Sequence, residues 1–338
     1  MATLDDLDAA RGPFASVVID VSSRVEDAAH RLEVQWRNAV RQLTESGFPD
    51  DDVAALTDLV GTLRHDEGEA LAVVRAAGGP QLVERLGHPV ERDLVTVDTL
   101  PRYGPILENR QRIVPHVVVE VDRAGAEIIS FDAGGDVGAE TVEGETLHIH
   151  RGHPGGWSQR RFQQRAENQW ESNASDAAAE VAAVASSIEA ELIVVSGDVR
   201  AVGFLTEHLP EHVRPIVHVI EEGSADGIAD ATVRLVDDAV ARTTRTIVER
   251  WRERVDAGTA CGGADDVLEA LEAGRVDCLL VHDDPDDVRH AEVARGDDVI
   301  RGRFVDVVIR AARTSGAQVR MTPTISGIDD GVGALLRW

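Results

Sequence analysis

Apolar and polar positions along the chain fall into blocks of helical and of alternating period, and these blocks predict the order of elements. Residues 14–21 follow the Gly12-Pro13 break and carry Val17, Val18 and Ile19 in a β-branched run, the mark of a strand. In residues 25–45, Ala28, Leu32, Val34, Trp36, Ala39, Val40 and Leu43 recur at roughly helical spacing. Gly47 and Pro49 supply the stop, so a long helix is expected there. Further helical patches reach to about Ala77. The stretch 100–115 contains Pro101, Gly104, Pro105 and several polar residues, which predicts a linker and an N-terminal α/β domain over 1–112.

Beyond the linker, 117–121 and 127–131 are apolar runs separated by Asp122, Arg123 and Gly125, the pattern of a hairpin. Residues 147–150 add a short strand and 158–190 a long helix. The apolar run 192–195 reads as a buried strand ending in Ser196-Gly197-Asp198. A helix over 200–208, a strand over 215–219 and a helix over 229–256 follow, the last with Leu235, Val236, Val240, Ile247, Val248 and Trp251 on its apolar side. The small-residue break at 259–264 separates a middle domain, 113–260, from a C-terminal domain, 261–338. In that last domain a helix is expected at 267–273, strands at 276–281 and 318–321, a helix at 304–313 and a terminal strand at 332–338. Alternating elements of this kind make an α/β chain of three domains.

Composition narrows the function. With 338 residues, 43% of them hydrophobic, the chain has enough apolar surface for substantial cores. The two cysteines, Cys261 and Cys278, are too few for a disulfide framework and are not spaced as a zinc site. Residues 1–8 carry acids where a signal peptide has a basic region, and no apolar run approaches the length of a membrane helix, so a cytoplasmic location without membrane contact is expected. The formal net charge of -27 argues against nucleic acid, because an acidic surface repels phosphates, and no DNA partner is expected. All 34 basic residues are arginine, however, and they are unevenly spread. Residues 146–166 contain no Asp or Glu but hold Arg151, Arg160, Arg161 and Arg165, an island of +4 in a remainder of -31.

That island contains His153-Pro154-Gly155-Gly156-Trp157-Ser158-Gln159-Arg160-Arg161-Phe162. Gly155 and Gly156 permit positive φ and close backbone approach, so a loop here can enter a narrow cleft. Ser158 is suited to cap the following helix, which sets Arg161 and Arg165 one turn apart on one face. Guanidinium groups grip phosphate bidentately, and an aromatic ring on a glycine loop can stack on an unpaired base, so the expected partner is RNA.

The run from Gly155 to Phe162 resembles the Gly-Gly-Gln loop and adjoining basic helix of the archaeal/eukaryotic release factor and Pelota family. The ending Gly331-Val332-Gly333-Ala334-Leu335-Leu336-Arg337-Trp338 is similar to the terminus of that family's third domain. The resemblance implies a ribonuclease H-like middle domain and a C-terminal domain like the kink-turn-binding ribosomal proteins. Within the family the chain most resembles the bacterial branch of actinobacteria, some of whose members look like ribosome-hibernation factors. It implies docking in the ribosomal A site, with Gly155, Gly156, Trp157 and Ser158 carried toward the peptidyl transferase centre. Arg160, Arg161 and Arg165 would then contact rRNA, and a translational GTPase would be a further partner. The lysine-free chain lacks the Asn-Ile-Lys-Ser motif of stop-codon readers, so decoding of stop codons is not expected. Trp157 stands where the family has its water-positioning glutamine; an indole offers one donor and no acceptor, so a non-catalytic role without cofactor is expected. The alternative is a peptidyl-tRNA hydrolase that uses Gln159.

Three other groups compete for attention. His148, His150 and His153 alternate along an expected strand, but no further ligand follows in a metal-site pattern, and they are expected to extend the RNA-facing surface. Asp283, Asp284, Asp286 and Asp287 around Pro285 lack the glycine and distal glutamate of a calcium loop and are expected to form a solvated loop. Ser196-Gly197-Asp198 is expected to be a structural strand-to-helix turn.

Overall fold

A computed structural model describes residues 2–21, 28–62, 69–88, 90, 92–135, 137–143, 156–221, 223–295, 298–323 and 328–338, with backbone alone at 28–29, 61–62, 156–168 and 295. The chain divides into two compact units, Met1–Gln111 with Thr244–Trp338, and Arg112–Thr243.

The first unit opens with α1 (Leu4–Ala9), β1 (Phe14–Asp20), α2 (Ala28–Glu45), α3 (Asp50–Thr62), β2 (Ala70–Ala76), β3 (Gln81–Leu86), β4 (Leu94–Asp98) and α4 (Gly104–Gln111). Its strands form an antiparallel sheet in the order β3-β2-β1-β4. The helical pattern expected up to residue 77 thus stops with α3. The run Ala70–Ala76 pairs with β1 and is buried almost throughout, and a short continuous apolar run carries no period by which to tell strand from helix. The expected linker at 100–115 is also corrected. Leu100, Tyr103 and Ile106 are core residues, and α4 forms where the polar positions suggested a loop.

The second unit holds β5 (His116–Val121), β6 (Gly125–Phe131), β7 (Val137–Glu143), α5 (Gly156–Ser187), β8 (Leu192–Gly197), α6 (Val199–His208) and β9 (Val217–Val219). The helix α7 (Ala225–Asp256) begins in this unit and ends in the other. The five strands take the order β7-β6-β5-β8-β9, with β6 antiparallel to both β5 and β7, β8 parallel to β5, and β9 parallel to β8. Val117, Val119, Val121, Ile193 and Val195 point to one face, where Ala177, Ala178 and Val181 of α5 and Val202 and Leu205 of α6 close the core. The small side chains of α5 let the helix lie close to the sheet. The strand expected at 147–150 lies outside the described residues, and β7 was not foreseen because its residues are nearly all exposed and carry no apolar alternation.

The first unit is completed by β10 (Ala260–Gly262), α8 (Ala264–Glu272), β11 (Val276–Val281), β12 (His290–Arg295), β13 (Asp298–Arg303), α9 (Phe304–Thr314), β14 (Gln318–Met321) and β15 (Val332–Leu336). A second sheet runs β10-β15-β11-β14, with β11 and β14 parallel, beside the hairpin β12-β13. The glycines near the end of the chain have a packing role. A Cβ at Gly333 would lie 2.8 Å from Trp251 Nε1 and one at Gly262 2.9 Å from its Cζ2. The indole therefore rests directly on two bare backbones, and its Nε1–H donates to Cys261 O at 2.8 Å.

Both faces of β1 are buried. Ala15, Val17 and Ile19 meet Trp36 and Leu43 of α2 and Leu56 of α3. Phe14 and Val18 join Val267 and Leu271 of α8 and Val305 and Ile309 of α9 in one core. The two ends of the chain are thus one packed body in this unit. A buried ionic cluster ties them further: Asp306, 1% exposed, lies 3.5 Å from Arg303 and 3.6 Å from Arg102, and accepts the Tyr103 N–H at 3.3 Å. Arg303, 2% exposed, directs its other amino group at Asp283 and at the carbonyl of Asp284. The loop of aspartates expected to be solvated is therefore partly structural. Asp283 pairs with a buried arginine, and Asp287 pairs with Arg289 at 2.7 Å.

Candidate nucleic-acid interface

The residues singled out for RNA contact converge on the start of α5. Gly156, Trp157, Ser158, Gln159, Arg160, Arg161 and Arg165 fall in its first turns, while Gly155 lies outside the described residues. The helix thus begins two residues ahead of Ser158. His148, His150 and His153 lie outside the described residues as well. At 32 residues, α5 is roughly 48 Å long, and its acid-free first turns are unusual in a chain this acidic.

The first described side chains on α5 form a junction with two other elements. Asn173 is buried and donates from Nδ2 to the carbonyl of Arg123, in the β5–β6 turn, at 3.1 Å. One helical turn earlier, Gln169 donates to Asn173 Oδ1 at 3.2 Å. The Arg123 guanidinium lies over the Trp170 ring, 4.6 Å from its centroid, and donates to Asp198 Oδ2 at 3.0 Å. Asp198 in turn caps α6 by accepting the N–H groups of Arg200 and Ala201 at 3.0 and 3.3 Å. Slight burial works to raise the Asp198 carboxyl, but these amides and the Arg123 guanidinium outweigh it and hold the group below the usual carboxylate range. Gly197 makes the turn possible: its φ is +130°, and a Cβ there would sit 1.9 Å from the Val121 carbonyl oxygen. Ser196-Gly197-Asp198 is thus a structural turn, as expected. Arg123 was passed over in the sequence because a lone arginine in a hairpin turn carries no pattern.

Elsewhere the chemistry is quiet. Among the described residues no group of three His, Cys, Asp or Glu side chains is placed to hold a metal. Cys261 and Cys278 are free thiols, each pushed up to about 11, chiefly by burial, and so are poor nucleophiles. A cleft of about 370 Å³ beside His282 and Thr322 is lined by Asp287, Arg289 and Asp330, which already pair with one another. No described helix is long and apolar enough to cross a membrane.

Residues 115–257 match the family model described as "Bacterial archaeo-eukaryotic release factor family 2". This segment of the chain is similar to the bacterial archaeo-eukaryotic release factors. The match spans the five-stranded sheet, α5 and α7, so the acid-free island lies within the release-factor segment. Over 98% of its length, and 94% of the relative's, the chain is 27% identical to "Uncharacterized protein Rv2629" of Mycobacterium tuberculosis strain H37Rv, and equally to "Uncharacterized protein MT2704" of strain CDC 1551. Among solved structures, the chain is similar to a model of ribosome-bound archaeal Pelota and ABCE1, at 17% identity over 99% of this chain and 94% of that one, with a TM-score of 0.42. Archaeoglobus fulgidus Pelota is similar at 18% identity over 80% and 79%, with a TM-score of 0.39. S. cerevisiae Dom34 is similar at 11% identity over 77% and 73%, also with a TM-score of 0.39.

Proposed function

We propose that this protein is a non-catalytic ribosome-binding factor that occupies the A site. Gly155 to Gln159 form the tip directed toward the peptidyl transferase centre, and Arg160, Arg161 and Arg165 contact rRNA. The observation that carries this is the position of Arg160, Arg161 and Arg165: inside the segment that matches the release-factor family model, in the first turns of its long helix, with the Gly155-Gly156 pair just before them in the sequence. On a chain of net charge -27, attraction to RNA has to come from such local charge, since the remainder repels phosphates. The strand order β7-β6-β5-β8-β9, antiparallel on one side of β5 and parallel on the other, supports a ribonuclease H-like middle domain.

Trp157 supports binding without hydrolysis. Its ring can stack on a base, but it has no acceptor with which to hold an attacking water against a peptidyl-tRNA ester. Such a factor fills the site without releasing the chain, which suits ribosome hibernation or the handling of stalled ribosomes, with a translational GTPase as a partner in delivery. Co-sedimentation with ribosomes, run beside a peptidyl-tRNA release assay, tests this. Pelleting without release is the expected outcome; release that disappears in Gln159→Ala would make the protein a hydrolase.

A further inference from the structure

We propose that the Arg123–Trp170 contact is a positioning device that fixes the direction in which α5 presents Arg160, Arg161 and Arg165. The inference rests on the ribosome-binding function above. α5 serves two purposes along one helix. From Ala174 onward it is a core element, with Ala174, Ala177, Ala178, Val181 and Ala185 all at most 3% exposed. Its first turns hold Arg160, Arg161 and Arg165. The junction sits between the two.

Three elements meet there. The β5–β6 turn contributes Arg123, the α6 cap contributes Asp198, and α5 contributes Trp170 and Asn173. Core packing by small alanines fixes how far α5 lies from the sheet, but such smooth surfaces give little resistance to a change in helix direction. A guanidinium held between a carboxylate and a ring resists it, because Asp198 is itself fixed by two backbone amides. The main-chain carbonyl of Arg123 adds a second attachment one turn along, at Asn173. A small angular error at Trp170 grows with distance along the helix. Arg161 lies nine positions away, roughly 13 Å, so a tilt of about 15° there moves it by about 3.5 Å, as far as a hydrogen bond spans.

The test compares wild type, Arg123→Ala and Arg123→Lys, using hydrogen exchange of the full chain and ribosome co-sedimentation. Lysine keeps a positive charge for Asp198 but loses the flat guanidinium that rests on the ring while it reaches the carboxylate. In Arg123→Ala, amides of residues 161–169 should lose protection while those of 177–185 keep theirs, and ribosome affinity should fall roughly three- to tenfold. Arg123→Lys should restore part of both. Equal protection of 161–169 in Arg123→Ala and wild type overturns the positioning role, whatever the ribosomes show. Lost protection with unchanged ribosome affinity overturns its link to RNA contact. Wild-type protein that fails to pellet with ribosomes refutes the function itself, and the exchange data then decide the junction alone.

Discussion

The buried carboxylate of Asp306 should make stability depend on pH in a direction opposite to that of an ordinary paired aspartate. Burial is the largest influence on it and raises it to about 7, against the pull of Arg303 and with a push from Asp283. Arg303 and Arg102 stand off at 3.5 and 3.6 Å, too far for strong charge-assisted bonds, so desolvation wins. Since the folded value lies above the reference value of 3.8, the folded protein keeps a proton that the unfolded chain gives up. The stability from this group is fully present below that reference value and is lost as pH rises through about 7. At about 1.4 kcal/mol per pH unit, the gain on going from about pH 8 to about pH 5 is roughly 2 to 3 kcal/mol. Asp306→Asn keeps an acceptor for the Tyr103 N–H and removes the titration. The assay is urea unfolding of both proteins at several pH values in a Trp157→Phe/Trp170→Phe background, where Trp36, Trp251 and Trp338 report on the first unit. Wild type should gain roughly 2 to 3 kcal/mol on the variant over that range, and the variant should be at least as stable at the alkaline end. A difference that stays constant with pH would refute the reasoning.

Gly197→Ala should destabilise the second unit by roughly 2 to 5 kcal/mol, because it combines a positive-φ penalty with a collision against the Val121 carbonyl; urea unfolding followed at Trp170 reads it. Trp157→Ala should weaken ribosome binding by about 1 to 3 kcal/mol, the worth of one stacked base, and leave the melting temperature unchanged, as checked by co-sedimentation and calorimetry. Release of peptide from peptidyl-tRNA should be absent both in wild type and in Gln159→Ala.

The elements most legible in the sequence are those whose apolar residues repeat over many positions. The helices α2 and α7 and the strands β5, β6, β8 and β11 fall close to where their patterns predict. Among the strands not foreseen, Ala70–Ala76 is apolar on both faces and β7 is charged and largely exposed, so neither shows an alternation. The loop around Pro285 looked solvated because sequence cannot show that Arg303, buried far along the chain, needs Asp283. At the candidate site, the glycines and arginines of residues 155–165 stand out by composition alone. Arg123, Trp170 and Asp198 do not, since their significance arises only when a turn, a helix and a cap are brought together.

Co-sedimentation of wild type and an Arg160→Ala/Arg161→Ala/Arg165→Ala variant with ribosomes, across a salt series, tests the central claim most directly. If the three arginines contact phosphates, log affinity for wild type should fall against log salt with a slope steeper than that of the variant by roughly 2 to 3. The variant should also bind more weakly at every salt concentration, by on the order of a kcal/mol per lost contact. Equal affinity and equal slope for the two proteins would contradict the account.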